Sequence, residues 1–253
     1  MKNKKTTIIL SVSILILIIA SLFIFISLNQ KPKIQDEDIE EQINISALES
    51  NFNKLFINEG NEYISTIYNI NKEESGKYKI EAQIPYVKLP NQDYARINEE
   101  INDIFISKIL NIHTQSNIYT TIKINYSTKI SNNILSLMIK CELKEGSNPL
   151  RKIIKTYNYD LENNKLIKIE DIIPTQNRED IQNQINIKIE NEKKKEETVL
   201  KQGYQVYTRD INSDIYLLKN ASEFFIDNNI VYIIYSYGNN SYTSETDLII
   251  IKI

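Results

Sequence analysis

The chain has few of the side chains from which most enzymes build reactive centres. Its 253 residues include one His, one Cys and no Trp. A zinc site with several histidines needs more His than this, and a disulfide needs a second Cys. A nucleophilic Cys–His pair would require the single Cys and the single His to lie in contact. The remaining composition, 42% hydrophobic and 25% charged, is typical of a folded protein and excludes a disordered one.

Charge is absent from one stretch near the N-terminus. Residues 6–28 carry no charged side chain, and from Ile8 to Leu28 Ile, Leu, Val and Phe fill 16 of 21 positions. A helix of that length is roughly 31 Å long, which matches the hydrocarbon core of a bilayer. The sequence therefore predicts a transmembrane signal anchor at residues 7–28.

A cleaved signal peptide is the alternative for this stretch. Its apolar core is usually about 7–15 residues long and is followed by small residues. Here the apolar run is longer, and bulky Phe25 stands where a small residue is needed, so we expect an uncleaved anchor. The three lysines before the run favour a cytoplasmic stub at residues 1–6, with the bulk of the chain outside the cell, although two lysines after it oppose them.

The part of the chain after the anchor divides into two segments. Residues 29–58 carry Ile39, Ile43 and Phe52 at roughly helical spacing and predict a stalk, either an amphipathic helix or a partly ordered linker. Residues 59–253 predict one extracytoplasmic domain. Without the three N-terminal lysines the chain has 27 basic and 33 acidic side chains, a net charge of −6. That sign gives no electrostatic footprint for nucleic acid.

Hydrophobic periodicity in the exterior segment predicts an α+β fold, a mostly antiparallel sheet with two principal helices. The helical stripes run from Ile97 to Ile112 and from Ile181 to Ile189, and the charged run Glu190–Glu197 predicts a solvated helix end. Asparagines are expected at the turns, since glycine and proline number only five each. Strand patterns fall at residues 62–70, 78–89, 118–126, 135–143, 153–161, 166–169, 223–227, 230–237 and 248–253.

Residues with reactive side chains have structural explanations in the sequence. His113 near the end of the first helix would interact with the helix dipole, and Cys141 lies on the apolar side of its strand. Asp160, Glu170 and Asp171 supply carboxylates for an acid/base pair like that of a glycosidase, which leaves a carboxylate-dependent wall hydrolase as a minor alternative. We expect no metal, no cofactor and no catalytic residue.

Tyrosines give the one candidate ligand site. All 16 lie outside the apolar N-terminal run, and several crowd the last hairpin and the loop after it. Tyrosine with Asn and Ser is the composition of adaptable binding surfaces, although strand tyrosines also pack at core edges. The predicted ligand-binding residues are Tyr232, Tyr235, Tyr237, Asn239, Asn240 and Tyr242.

Five short blocks, in this order and spacing, carry a family resemblance: Ile84–Tyr86, Ile97–Ile101, Tyr157–Leu161, Lys165–Ile172 and Phe224–Tyr232. The chain thereby resembles the PdaC/RsiV-like exterior domain, a domain of unknown function that is shared by peptidoglycan deacetylases and membrane-anchored, lysozyme-responsive anti-sigma factors of Gram-positive bacteria. The resemblance covers residues 60–253 and implies an accessory domain of the cell envelope.

The chain departs from this family at several points. The family's Gly-Gly-Ala-His type loop is replaced by Glu145–Pro149, and its Pro-Tyr-rich segment by Ser236–Asn240. A deacetylase would continue past Ile253 into a metal-binding catalytic domain, and an anti-sigma factor would need more than six residues before its anchor. We therefore expect the accessory exterior domain alone.

These observations predict a single-pass membrane protein without catalysis of its own, whose exterior domain binds or senses a component of the bacterial envelope. The expected partner is a cell-wall glycan, another wall polymer or an envelope protein such as a lysozyme-like ligand. The alternative is a structural subunit that docks onto a membrane protein complex through an apolar helix face or its tyrosine-rich edge.

Overall fold

The computed structural model describes residues 47–52, 54–55, 60–237 and 243–253. The predicted stub and anchor, and most of the predicted stalk, lie outside these residues. Leu48–Ile253 form one compact unit, which includes the helical residues 48–52. No helix in the described part of the chain is long and apolar enough to cross a membrane.

The described residues form two β-sheets, and the larger has six strands whose spatial order is their chain order. Neighbouring strands are antiparallel except β2 and β3, which are parallel because a helical connection carries the chain back between them. The strands are β1 Ile64–Glu74, β2 Tyr78–Val87, β3 Thr120–Ser131, β4 Ile134–Glu145, β5 Arg151–Asp160 and β6 Lys165–Leu166.

The connection from β2 to β3 is a nearly continuous helix that covers one face of this sheet. It consists of α1 (Asp93–Ile101), a π-helical turn (Asn102–Ile106) and α2 (Ser107–Gln115). Its buried face is the predicted stripe, which packs on the inward side chains of β2–β5. Just before the helix, the Asn91 side chain accepts a hydrogen bond of 3.0 Å from the Asp93 N–H, which satisfies the first N–H of the helix.

A smaller antiparallel sheet covers part of the other face. Its strands are β7 (Phe224–Asp227), β8 (Ile230–Tyr237) and β9 (Glu245–Lys252). One side of this sheet buries Phe225, Tyr232 and Ile234 against Met138 and Ile154 of the large sheet. Its other side packs against a long helix described next. The α+β class and the mostly antiparallel pairing are confirmed.

After β6 the chain forms the short α3 (Ile169–Ile172) and then the 24-residue α4 (Arg178–Lys201). The apolar stripe of α4 buries Ile181, Ile185 and Ile189 against the outer side of the small sheet. The unit is therefore built of four layers: the helix between β2 and β3, the large sheet, the small sheet and α4.

Side chains of the large sheet hold the edge of the small sheet in place. The Asn158 amide donates a hydrogen bond of 2.7 Å to the Phe224 carbonyl, and the Phe224 N–H donates one of 3.0 Å to the Thr156 hydroxyl. The Ile226 N–H donates to the Ser136 hydroxyl at 3.3 Å. These bonds satisfy backbone groups that β7 would otherwise bury without partners, and they fix the small sheet over one end of the large one.

Turn asparagines behave as predicted. Asn132, Asn133, Asn164 and Asn228 all adopt positive φ, between 49° and 62°. Asparagine tolerates this region better than other residues with a side chain. Each of the four therefore lets the chain reverse tightly without a glycine.

Two local predictions were wrong. Strand β6 ends at Leu166, because the Asp171 carboxylate accepts the Lys168 N–H at 2.8 Å and starts α3 where a longer strand was expected. The charged run Glu190–Glu197 is also not wholly a solvated helix end. Helix α4 continues through it to Lys201, and the Glu196 side chain is buried.

Candidate functional site

The small sheet leaves part of the large sheet uncovered. On β4, Ser136 and Met138 are buried beneath the small sheet, whereas Lys140, Glu142 and Lys144 on the same side of the strand are partly exposed. The residues between them face the helical layer and are buried. We call the uncovered surface the polar face; on β2–β5 its side chains are Lys79, Glu81, Gln83, Thr121, Lys123, Asn125, Lys140, Glu142, Lys144 and Lys152.

Strand register arranges charges of alternating sign across the polar face. Glu81 of β2 lies opposite Lys123 of β3. Glu142 of β4 lies opposite both Lys123 and, on its other side, Lys152 of β5. Adjacent strands are about 4.8 Å apart, so the row from Glu81 to Lys152 is roughly 14 Å long. Opposite charges in such positions stabilise the sheet, and the backbone ladder fixes their positions.

Across the whole polar face, lysines outnumber glutamates five to two. Lys79 pairs with Glu81 and Lys140 pairs with Glu142, each at 2.7 Å. Burial by itself would raise the pKa of Glu142, but the ammonium groups of Lys140, Lys152 and Lys123 bring that pKa below its usual value. The carboxylates of the face are therefore ionised and already neutralised.

Two adjoining cavities open on the polar face. The strand cavity has a volume of about 280 Å³ and is lined by Lys79, Thr121, Lys123 and Glu142 among others. The edge cavity has a volume of about 320 Å³ and lies where the polar face meets β9 and α4. They adjoin because Glu142 of the first pairs with Lys140 of the second.

The edge cavity combines an apolar lining with charged groups. Phe52, Ile154 and Leu248 supply its apolar side chains. Lys188 contributes a cation that is paired with Glu192 at 3.3 Å and with Glu49 at 3.7 Å. A ligand with both apolar and polar groups fits such a lining.

Asp247 connects the edge cavity to a buried charge cluster around Arg209. The Arg209 guanidinium donates hydrogen bonds of 2.7 and 2.9 Å to the two Asp247 oxygens and one of 2.6 Å to Glu245. It also pairs with Glu196, whose two oxygens accept the Arg209 backbone N–H at 3.1 Å each. Burial would lower the pKa of Arg209, but the bonds to Asp247, Glu245 and Glu196 raise it above its ordinary value.

No pattern in the sequence predicts this cluster. Arg209 lies in a polar loop, and its three carboxylate partners are 13, 36 and 38 residues away along the chain. No periodicity joins positions at such separations. The cluster ties the loop after α4 to both α4 and β9, and thereby supports one wall of the edge cavity.

The structure separates the tyrosines of the predicted ligand site. Tyr232 is buried between the two sheets, with its ring centroid 5.3 Å from that of Phe52. Tyr235 and Tyr237 point to the opposite side of β8, where both pack near Tyr216. These three of the four predicted tyrosines are buried and form no exposed surface together. Asn239, Asn240 and Tyr242 lie outside the described residues, so a ligand role for that loop stays a prediction.

His113 and Cys141 occupy the structural positions expected of them. The Nδ1 atom of His113, at the end of α2, lies 2.9 Å from the Tyr78 hydroxyl oxygen. Cys141 is fully buried in the core, as predicted, and burial raises the pKa of its thiol to about 12. A thiol with that pKa is a poor nucleophile near neutral pH.

The carboxylates named for acid/base chemistry all have local partners. Asp160 accepts the backbone N–H groups of Glu162 and Asn163 in the turn after β5. Asp171 caps α3, and Glu170 lies 3.8 Å from Arg178. Among the described residues no three His, Cys, Asp or Glu side chains meet in a way that could hold a metal ion.

Comparison with solved structures finds neighbours of low sequence identity. No family model matches the chain, and no curated protein matches it. A DUF3298 family protein of Pseudomonas aeruginosa is similar in structure, with 8% identity, a TM-score of 0.40, and 72% of this chain and 86% of that chain covered. A DUF3298 family member of Bacteroides fragilis has 14% identity, a TM-score of 0.37, and coverage of 70% and 80%. The PdaC/RsiV-like resemblance stays a prediction.

Proposed function

We propose that this protein is a single-pass membrane protein whose exterior domain binds a component of the bacterial cell envelope through the polar face, without catalysis of its own. The membrane part of this proposal comes from the apolar run at residues 7–28. The binding part comes from one observation: the small sheet leaves a flat, charged portion of the large sheet uncovered.

The polar face has the properties of a binding surface. Its side chains project from paired strands, so the backbone positions from which they extend are fixed before a ligand arrives. Gln83, Thr121 and Asn125 add amide and hydroxyl groups between the charges. Such groups can exchange hydrogen bonds with the hydroxyls of a wall glycan or the polar groups of an envelope protein.

The shape of the surface favours an extended ligand. The strand cavity and the edge cavity adjoin, and together they reach from β2 to β9 and α4. A small ligand would need only one of them. A polymer segment could lie across both and bury its apolar groups against Phe52 and Leu248.

Binding to purified bacterial walls tests the proposal. The full chain, in a non-ionic detergent, should sediment with walls. Thr121→Trp, which fills the strand cavity, should weaken this binding at least about tenfold by excluding the ligand. Thr198→Trp, on the exposed side of α4, is the matched control and should bind as the parent does.

Two results would contradict the proposal. One is a parent protein that stays in the supernatant with walls from several bacteria. The other is equal loss of binding by both Trp variants while their urea unfolding curves match that of the parent.

Protease treatment of intact cells tests the topology, because an exterior domain is cleaved and a cytoplasmic one is protected.

A further inference from the structure

We propose that the ligand of the polar face is a linear phosphodiester polymer of the cell wall, of the teichoic acid kind. This inference rests on the proposed function and names its ligand class. It arises from a contrast in charge: on the polar face lysines outnumber glutamates five to two, whereas the chain after the predicted stub has a net charge of −6. Glu73 of β1 lies opposite Lys79, and the net charge of the face stays positive when Glu73 is included.

Three lysines of the polar face form no direct ion pair with a described residue: Lys123, Lys144 and Lys152. Glu81 and Glu142 are taken by Lys79 and Lys140. Lys123 and Lys152 form no ion pair with any described residue, and Lys144 donates only to the Asn148 backbone carbonyl. Positive charge without a partner on a preformed surface is what a polyanion needs, since binding then releases its counterions.

The spacing of these cations favours a chain of separate charges over a single anion. Lys123 and Lys152 flank Glu142 from the strands on either side, so their backbones are roughly 10 Å apart. A single small anion could contact both lysines only if they bent towards each other over Glu142, whose carboxylate would repel it. Phosphates repeated along a flexible polymer can meet the lysines one by one.

The type of cation suits a phosphodiester. The ten residues of the polar face include no arginine, whose fork binds a carboxylate or a phosphate through two parallel hydrogen bonds, and all their cations are lysines. Lysine acts as a compact point charge with three donors, which suits the single charge of a phosphodiester. The hydroxyl of Thr121 and the amide of Asn125 lie between the lysines and can contact the polyol links.

Affinity for purified poly(glycerol phosphate) wall polymer tests the inference on the full chain. The double variant Lys123→Gln, Lys152→Gln should bind about 25-fold more weakly than the parent. Each lysine near an anionic polymer should contribute about fivefold to the affinity. The control Lys194→Gln, Lys219→Gln removes two exposed lysines that have no ion pair among the described residues and should stay within about twofold of the parent. Raised salt should weaken the parent's binding more than that of the polar-face variant.

Three results would overturn the inference. One is equal affinity of the polar-face variant and the parent. Another is stronger binding to single-stranded DNA of the same charge than to the wall polymer. The third is binding of the parent to peptidoglycan stripped of phosphodiester polymer as strongly as to intact wall. The third result would leave the proposed envelope-binding function in place with a different ligand, whereas failure to bind either kind of wall would remove both.

Discussion

The side-chain amide of Asn158 on β5 donates a hydrogen bond of 2.7 Å to the backbone carbonyl of Phe224 on β7, and both groups are buried. The Asn158 oxygen in turn accepts a hydrogen bond of 2.6 Å from the Ser136 hydroxyl. A strand edge is thus satisfied by side chains of another sheet instead of by another strand. This joint decides how far the small sheet extends over the large one, and therefore where the polar face begins.

Replacement of Asn158 by Ala should lower the free energy of unfolding by about 1–3 kcal/mol. The change leaves the Phe224 carbonyl buried without its partner, and an unsatisfied buried acceptor is costly. Urea unfolding of the full chain measures the effect. Asn212→Ala, in an exposed turn and with no side-chain hydrogen bond to a described residue, is the control and should change stability by less than about 0.5 kcal/mol. Equal effects of the two changes would contradict the assigned role of Asn158.

Replacement of Arg209 by Ala should lower the free energy of unfolding by about 3–5 kcal/mol. Glu196 and Asp247 are both buried, and without the guanidinium their charges have no counterion. Arg209→Lys keeps one charge but cannot bond both Asp247 oxygens and Glu196 together, so it should fall between the parent and Ala. A loss below about 1 kcal/mol for the Ala variant would show that the cluster contributes little to stability.

Replacement of Tyr235 by Phe should leave stability near neutral pH unchanged or raise it by up to about 1 kcal/mol. The Tyr235 hydroxyl is buried and has no hydrogen-bond partner among the described residues, so the parent gains nothing from it. Tyr204→Phe, at an exposed position, is the control. A marked loss of stability in the Tyr235 variant would reveal a partner for this hydroxyl.

The same hydroxyl should make stability fall at alkaline pH. Burial, with a smaller contribution from Tyr216, raises the pKa of Tyr235. A tyrosine in the unfolded chain ionises at about pH 10. Above that pH the unfolded chain releases a proton that the folded chain retains, so unfolding becomes easier as pH rises. Urea midpoints measured from neutral to alkaline pH should fall less steeply for Tyr235→Phe than for the parent. Identical slopes would contradict this.

Cys141 should be unreactive in the folded protein. Its thiol is fully buried and its pKa is raised to about 12, so an aromatic disulfide reagent near pH 8 should label it only after urea is added. Lys123→Cys places a thiol on the polar face and should add one fast-reacting group in the folded state. Rapid labelling of the parent would mean that the core opens around β4.

Much of the fold follows from local patterns in the sequence. Alternation on β3, with Ile122 and Ile124 buried and Lys123 exposed, predicts a strand with one covered face, and the structure has it. The helical stripe through Ile97 and Ile109 predicts the layer over that face. These patterns are readable because residues two or four positions apart share one environment.

The tyrosines on β8 show what local sequence patterns cannot predict. Composition grouped Tyr232, Tyr235 and Tyr237 as one surface, but strand alternation puts Tyr232 on one side and the other two on the opposite side. Both sides are buried, because β8 is the middle strand of a sheet between two layers. The sequence could show the alternation, but it could not show that both neighbouring layers exist.

Local sequence patterns account for most of the strands, the two principal helices and the asparagine turns, because each depends on residues a few positions apart. The meeting of Arg209 with Glu196 and Asp247, and the end of the small sheet short of Lys140 on β4, follow from the tertiary structure. Both outcomes depend on how separate layers pack. A buried charge or an uncovered sheet face is set by side chains that come from distant parts of the chain, and no local period encodes their meeting.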